Sequence, residues 1–344
     1  MSATATIADI ARQAGVGTAT VDRVLNRRPG VNAETVQRVM QVVAELGAPP
    51  QRGRPRKGDN FRFAFVLPAE GSPFNELVDR QIAQAAGEFR HQHITEVTHR
   101  IDSSDAALFA AELAQLAECD AMAIMAPDLP PVKLAINELV RTGVHVVTLF
   151  SDVAGSMRET HVGADNRAAG RTAGLLLGRM ADIGTRDTLL LSSQATRMSG
   201  EIERRIGFAQ AIEERFPKIK VQRSPDLPGS DAGACRALLR YLRSKSIDIT
   251  RLAGIYNVGS GSAGVARAVE SLGLTGAVGV VAHDFTDEHR ALLGANALAY
   301  VLHQDIHYCI STAARVLRAL CENMRGALNV VQPRVEILTA ENLH

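Results

Sequence analysis

The sequence is poor in the features that would place a chain outside the cell or across a membrane. Its four cysteines, Cys119, Cys235, Cys309 and Cys321, lie far apart and form no Cys-x-x-Cys pair. They read as buried reduced thiols rather than a disulfide frame or a zinc site. No apolar run approaches the ~20 residues that a bilayer-crossing helix needs. The first residues, Met1-Ser-Ala-Thr-Ala-Thr6, have neither a basic n-region nor an apolar h-region, so no secretion signal is expected. No serine, cysteine or paired-carboxylate constellation argues for hydrolysis. These absences lead us to expect a cytoplasmic chain with no membrane partner, no enzymatic activity and no cofactor.

The 344 residues are 46% hydrophobic and 22% charged, an ordinary globular balance. At roughly 100–200 residues per domain, that length suggests two or three domains. The charge is unevenly spread. Residues 1–60 carry nine Lys/Arg and five Asp/Glu, a net +4, which leaves −3 on the rest of a chain whose total is +1. A basic end on a mildly acidic body fits a polyanion met at one end only.

That basic end has a legible pattern. Thr6-x-x-Asp9 is a capping box of the acidic form, and Ile7, Ile10, Ala11 and Ala14 follow helical spacing. Gly15 can stop the helix in a left-handed C-cap. A second helix over 18–26 turns Val21, Val24 and Leu25 inward and leaves Thr18, Ala19, Asp22 and Arg23 on its outer face. Asn32 caps a third helix running to Leu46, with Val36, Val39, Met40, Val43 and Leu46 as its expected buried stripe. Two short helices meeting at Gly15-Val-Gly17 have the layout of a helix-turn-helix, whose second helix enters the DNA major groove. Spacing alone also fits a generic three-helix bundle.

The residues go further than the spacing. Thr6-Ile-Ala-Asp-Ile-Ala, Ala14-Gly-Val, Thr20-Val, Arg23-Val-Leu-Asn26, Val31, Thr35-Val, Arg38-Val and Glu45-Leu-Gly47 resemble the head of the lactose-repressor (LacI/GalR) family of transcription regulators. The resemblance covers residues 6–50. It implies that Thr18, Ala19 and Arg23 stand where the family reads base edges, and that Thr20 and Asn26 stand where it grips phosphate or braces the helix. Arginine is the commonest partner of guanine, donating to O6 and N7 together. Thr6 and Gly17 complete the expected DNA-facing set. Gly17 and Asp22 replace residues that are usually serine in the family. Asp22 could accept from a cytosine amino group, or it could orient Arg23 or Arg27.

The segment that follows departs from the family. There the resemblance implies a hinge helix that wedges a leucine into the minor groove. Here no leucine occurs between Gly47 and Leu67, while prolines at 49, 50 and 55 and glycines at 53 and 58 disfavour a helix. Arg52-Gly-Arg54-Pro-Arg56 looks instead like an AT-hook core, an extended arginine segment suited to a narrow A·T-rich minor groove. A solvated basic linker that touches phosphates without specificity fits the same residues. Either role steepens the salt dependence of DNA binding.

From Phe61 onward short apolar runs alternate with helical stretches. Strands are expected at 61–67, 94–101, 121–125, 144–149, 188–191, 221–224, 253–257 and 278–282, with helices at 76–89, 106–117, 132–141, 167–180, 202–216, 232–243 and 263–272. Repeated β-α alternation indicates doubly wound parallel sheets, and about 280 residues is too many for one sheet of that kind. Two lobes with a ligand cleft at the strand carboxyl ends are expected. The fold class is therefore an α helix-turn-helix head plus an α/β body of two lobes. The head spans 1–48, the linker 49–60 and the body 61–344. Lobe 1 takes about 61–163 and 304–328, and lobe 2 about 164–303 and 329–344.

The family resemblance extends into the body, more weakly. His161-Val-Gly-Ala-Asp-Asn-Arg-Ala-Ala-Gly-Arg171, Arg204-Arg-Ile-Gly-Phe208, Val281-Ala-His-Asp284 and Leu302-His-Gln-Asp305 carry it, and the whole is similar to the ribose-type branch of the periplasmic sugar-binding fold. The resemblance implies a pocket in which Phe74 stacks on a sugar and Arg204 donates from the second lobe. Asn257, Asp284 and Gln304 close the ring, and Asp152 joins them, although the Thr148–Asp152 stretch matches imperfectly and Phe150 falls where the ribose-type proteins carry a polar residue. Carboxylates and amides pair with vicinal hydroxyls, and an aromatic ring covers a sugar's apolar face. Each polar residue taken alone fits a strand-end capping role equally.

A competing motif is Gly259-Ser-Gly-Ser-Ala-Gly264, a G-x-G-x-x-G turn with Asp284 twenty positions on. It would suit a dinucleotide. That fingerprint normally follows the first strand of its unit, whereas several strands precede this one, so a turn at the cleft rim is the simpler reading. His303 and His307 are spaced i,i+4 as on a helix, but no further metal ligand is evident. The expectation is a homodimeric, ligand-responsive transcription regulator, most simply a repressor, that binds a two-fold-symmetric operator and responds to a monosaccharide or polyol. A transporter's solute-binding protein and a cofactor-dependent enzyme are the competing classes. No leucine heptad follows Pro333, so nothing favours a tetramer.

Overall fold

The computed structural model describes residues 6–25, 30–46, 60–195, 197–244, 246–324 and 329–343. At the amino end, α1 (Ile7–Ala14), α2 (Thr18–Leu25) and α3 (Ala33–Glu45) enclose a small core of Ile10, Ala14, Val21, Leu25, Val39 and Val43. The Asn32 carboxamide accepts from the Thr35 N–H at 2.7 Å and starts α3. The expected stripe of α3 is off by part of a turn. Val42 is buried, whereas Met40 and Leu46 are more than a third exposed, because only one flank of α3 meets the two shorter helices.

The body holds two sheets. In the first, β1 (Phe61–Pro68), β2 (Ile94–Ile101), β3 (Ala121–Ile124), β4 (His145–Leu149) and β5 (Thr160–Val162) lie in the order β2-β1-β3-β4-β5, all parallel. Helices α4 (Pro73–His91), α5 (Ala106–Gln115) and α6 (Pro130–Arg141) cross between them. Phe63, Phe65 and Leu67 of β1 are almost fully buried, as expected where helices cover both faces of a parallel sheet. Each such side chain contributes about 1.5–3 kcal/mol by leaving water.

The second sheet has the order β11-β10-β9-β8-β6-β7. It comprises β6 (Thr188–Ser192), β7 (Lys220–Arg223), β8 (Leu252–Asn257), β9 (Gly279–His283), β10 (Tyr300–Gln304) and β11 (Val335–Leu338). Only the β10–β11 pair is antiparallel among the described strands. Its helices are α7 (Asn166–Met180), α8 (Ser199–Arg215), α9 (Asp231–Leu242), α10 (Ser262–Glu270) and α11 (Asp287–Gly294). The chain enters this lobe after β5. It leaves after β10 into α12 (Ile306–Cys321), which buries Ile310, Ala313 and Leu317 against the first sheet, and it returns at β11.

Five body elements were not anticipated: β5, α11, β10, α12 and β11. The reading of His303 and His307 as one helical pair also fails, since His303 lies in β10 and His307 in α12. The boundary is Asp305, whose carboxylate accepts from the Tyr308 N–H at 2.8 Å and caps α12.

Two glycines set the packing of α7 on α8. A Cβ on Gly170 would come within 1.9 Å of the Arg204 carbonyl oxygen, and one on Gly207 within 2.1 Å of the Arg167 oxygen. The two backbones therefore approach as only glycine permits, and this fixes the position of Arg204 on α8.

Candidate functional site

Two surfaces concentrate the chemistry. The first is on the helical head. The Thr6 hydroxyl accepts from the Asp9 N–H at 3.3 Å, and the Asp9 carboxylate accepts from the Thr6 N–H at 3.0 Å, a reciprocal cap. Hydrogen bonds from Thr6 and the charge of Arg12 hold the Asp9 carboxyl below the usual carboxylate range. Gly15 adopts φ +65° and ends α1 with its N–H on the Ala11 carbonyl. The chain then turns into α2, whose Val21, Val24 and Leu25 are buried. Gly17, Thr18, Ala19 and Arg23 are exposed, while Thr20 and Asp22 are half-buried. Small polar groups and one guanidinium thus stand on a single outer face, clear of the core. Asn26, Arg52, Arg54 and Arg56 lie outside the described residues.

The second surface is a cleft of about 550 Å³ between the two sheets of the body. It lies at the carboxyl ends of β1, β6, β8, β9 and β10, the usual place for a ligand in open α/β folds. Lobe 1 contributes aromatic surface. Ser72 caps α4 by accepting from the Asn75 N–H at 3.1 Å, which places Phe74 in the first turn. Phe74 meets Phe150 edge to face, with ring centroids 5.2 Å apart. Phe150 has φ +59°, an unusual conformation for an aromatic residue and one that costs of order 1–3 kcal/mol.

Lobe 2 contributes a polar cluster. Arg204 is buried; its Nε donates to the Asn166 carboxamide oxygen at 2.7 Å and Nη1 to the Val258 carbonyl at 3.3 Å. The Asp284 carboxylate lies 4.0 Å from the same guanidinium and accepts from Gln304 Nε2 at 3.3 Å. Asp284 is held at φ +65° with its N–H on the Leu302 carbonyl, while its own carbonyl meets His289 Nδ1 at 2.5 Å. Burial pushes the His289 imidazole below its usual proton affinity, more than contact with Asp284 raises it. Gln304 Oε1 accepts from the Ala164 N–H at 3.3 Å, which ties this cluster to the strand crossover. The cluster therefore offers a fixed guanidinium, a carboxylate and an amide, a set suited to the hydroxyls of a polyol.

Phe74, Arg204, Asp284 and Gln304 come together in this cleft. Asn257 and Asp152, expected beside them, are not among its walls. Asn257 is 1% exposed, and its Nδ2 donates to the Gly259 carbonyl and the Ser262 hydroxyl, both at 2.9 Å. It braces the glycine turn from beneath. That turn places Gly261, at φ +83°, at the start of α10, and Gly259, Ser260, Gly261 and Ser262 line the cleft rim.

Asp152 faces a separate cavity of about 460 Å³ behind the crossover. Its carboxylate accepts from Arg158 Nε and Nη2, both at 2.5 Å, and from the Thr148 hydroxyl at 2.7 Å. Burial would raise its proton affinity, but the Arg158 and Thr148 hydrogen bonds outweigh that and lower it. The Asp152 carbonyl accepts from the Ser199 hydroxyl at 2.6 Å, and the Ser151 hydroxyl accepts from the Gly200 N–H at 3.2 Å. Residues 151–152 therefore join the lobes behind the cleft. Two further contacts cross in front. The Asp128 N–H donates to the Arg197 carbonyl at 3.1 Å, and Arg80 pairs with Asp287 at 3.0 Å.

Sequence reasoning passed over Glu201 and His283 and noted Phe150 only as a departure from the ribose-type pattern; all three line the cleft. His283 carried a usable signal, since it ends a strand immediately before Asp284.

Comparison with known proteins matches the two parts of the chain that carry these surfaces. A family model described as "Bacterial regulatory proteins, lacI family" matches residues 6–51. A periplasmic binding protein domain model matches residues 63–324. No curated protein matches the chain. Among solved structures, a solute-binding protein of an ABC transporter from Burkholderia graminis, in complex with D-arabinose, aligns with a TM-score of 0.75 at 19% identity. That alignment covers 84% of this chain and 98% of that one. A protein from Bacteroides fragilis described as a candidate LacI transcriptional regulator aligns at 0.71 and 16% identity, over 83% and 99%. GanP, a glucose-galactose binding protein from Geobacillus stearothermophilus, aligns at 0.71 and 18% identity, over 83% and 99%. Likeness at these identities concerns the two-lobed fold.

Proposed function

This chain belongs to the periplasmic binding protein domain family and carries the DNA-binding head of the bacterial lacI regulatory family, and from that premise we propose that it is a repressor released or engaged by a sugar-like effector. One observation carries the reading. The same chain joins an outward-facing reading helix to a cleft that offers Arg204, Asp284, Gln304 and the Phe74 ring.

In this reading Arg23, Thr18 and Ala19 contact base edges, with Thr6, Gly17, Thr20, Asp22 and Asn26 around them. Arg52, Arg54 and Arg56 follow the minor groove or its phosphates. One eight-residue helix covers too little DNA for specificity, so two heads of a homodimer read a two-fold operator. Neighbours of this fold hold D-arabinose or bind glucose and galactose, which supports a monosaccharide or polyol as the effector. Binding in the cleft tightens the lobes around the 151–152 and 199–200 contacts and alters the spacing of the heads. Such coupling is typically worth ~1–3 kcal/mol. No described helix is long and apolar enough to cross a membrane. A DNA partner supports a cytoplasmic site of action.

The test is a mobility shift with genomic fragments, with and without sugars and polyols. The expected result is a retarded fragment whose midpoint moves about 5–150-fold with one of them. Absence of any retarded fragment under every condition overturns the reading.

A further inference from the structure

The cleft holds one polar group whose hydrogen-bonding state the structure decides. His283, at the end of β9, lines the cleft and is 6% exposed. Its Nε2 lies 2.6 Å from the hydroxyl of Tyr256, which is fully buried in β8 beneath it. Neither the Tyr256 hydroxyl nor His283 Nδ1 has any other hydrogen-bond partner among the described residues.

Two arrangements satisfy a short contact between a phenol and a neutral imidazole. If Nε2–H donated to the phenol oxygen, the phenol O–H would be left in the core with nothing to accept it. A buried donor without an acceptor is costly, so the phenol O–H donates and Nε2 accepts. A neutral imidazole then carries its one proton on Nδ1. We propose that Tyr256 locks His283 as an uncharged Nδ1–H donor toward the cleft, and that this donor meets an oxygen of an uncharged polyhydroxylated effector. The inference rests on the effector reading of the cleft.

The surroundings favour the neutral form. Burial, then the Arg204 guanidinium and His289, push His283 well below the usual proton affinity of histidine. Burial raises the Tyr256 phenol above its usual range against the pull of Arg204, with Glu201 and Asp284 adding to the rise, so it keeps its proton. The cleft already sets Glu70, Glu201, Asp284 and Glu288 against Arg197 and Arg204. A phosphate ester would face more carboxylates than guanidinium groups, whereas His283 adds a donor without adding charge. Tyr256 is a positioning residue in this scheme, and His283 sets specificity.

Long-range proton–nitrogen spectra of the full-length, ¹⁵N-labelled protein test this without any ligand. The expected result is His283 protonated on Nδ1 by about tenfold or more over the other tautomer, unchanged from pH 5.5 to 8. In Tyr256→Phe the preference collapses toward a mixture. A wild-type ring protonated on Nε2, a ring that gains a second proton above pH 5.5, or an unchanged ring in Tyr256→Phe overturns the lock. Because these signals need no effector, they fail separately from the effector reading.

A second arm adds D-arabinose, D-ribose, D-glucose, D-galactose or D-glucose 6-phosphate to the same sample. Movement of the His283 Nδ1–H signal by a neutral sugar is expected. No movement with any of them, or glucose 6-phosphate binding as tightly as glucose, overturns the donor's role toward an uncharged polyol.

Discussion

In the head, the side chains proposed to act stand away from the core. Thr18, Ala19 and Arg23 are exposed, while Val21, Val24 and Leu25 on the opposite face of the same helix hold it in place. In the cleft the reverse holds. Arg204, Asp284 and Gln304 are buried, and each is bonded to the backbone or side chains that shape the lobes. A surface for a polyanion can keep recognition and stability on different residues, because water solvates it until DNA arrives. A cleft that desolvates a small neutral ligand must hold its polar groups in advance, so the same residues serve binding and fold.

That contrast can be broken or sharpened by substitution. The largest effect is expected for Arg204→Ala, which leaves Asp284 and the Asn166 amide oxygen without their guanidinium. Breaking a buried charged contact costs about 3 kcal/mol, read as a lower urea midpoint, and the response to sugar is lost as well. An unchanged midpoint would remove the cleft's half of the contrast.

Next comes Arg23→Ala, expected to weaken specific operator binding by about 2 kcal/mol in a titration while leaving Tm unchanged. A fall in Tm would show that this side chain also supports the head. Thr6→Ala removes a cap that belongs to both categories. It should cost about 1 kcal/mol in the stability of the head, measured on its own unfolding transition.

The smallest effect concerns acid. The Asp152 carboxyl has its proton affinity lowered from a reference of 3.8, so its contribution is present above that pH and is lost as pH falls through the lower folded value. Asp152→Asn should therefore flatten the decline in urea midpoint below about pH 4. An identical decline in both proteins would assign the acid sensitivity elsewhere.

Much of this was legible in the chain, for identifiable reasons. The head could be read almost residue by residue, because its caps and glycine turn are local signals: Thr6 finds Asp9 three residues on, and Gly15 finds Ala11. The strands with apolar runs, β1 among them, were equally plain, and β2 was placed at its full length although most of its residues are polar. What escaped was short or switched period within a few residues. β5 has only three residues, and the chain passes from β10 to α12 across the single residue Asp305, so His303 and His307 kept a helical spacing without sharing a helix. In the cleft, Arg204, Asp284 and Gln304 could be placed because strand ends and the family pattern agree. Asn257 and Asp152 could not, because residue type does not tell whether an amide faces the ligand or turns inward to the backbone.

The return of α12 to the first sheet has a consequence for how the molecule is made. Phe63, Phe65 and Phe89 share one buried cluster with Ile310, Ala313 and Leu317, more than two hundred residues further along. As the chain leaves the ribosome, the head can close on itself at once, since all its contacts are local. The first sheet must wait, one face covered by α4 alone, until nearly the whole protein has been synthesised. Folding of the body is thus a late event with long loops to close, and a chain cut before residue 306 would retain the head while leaving its largest aromatic surface in water.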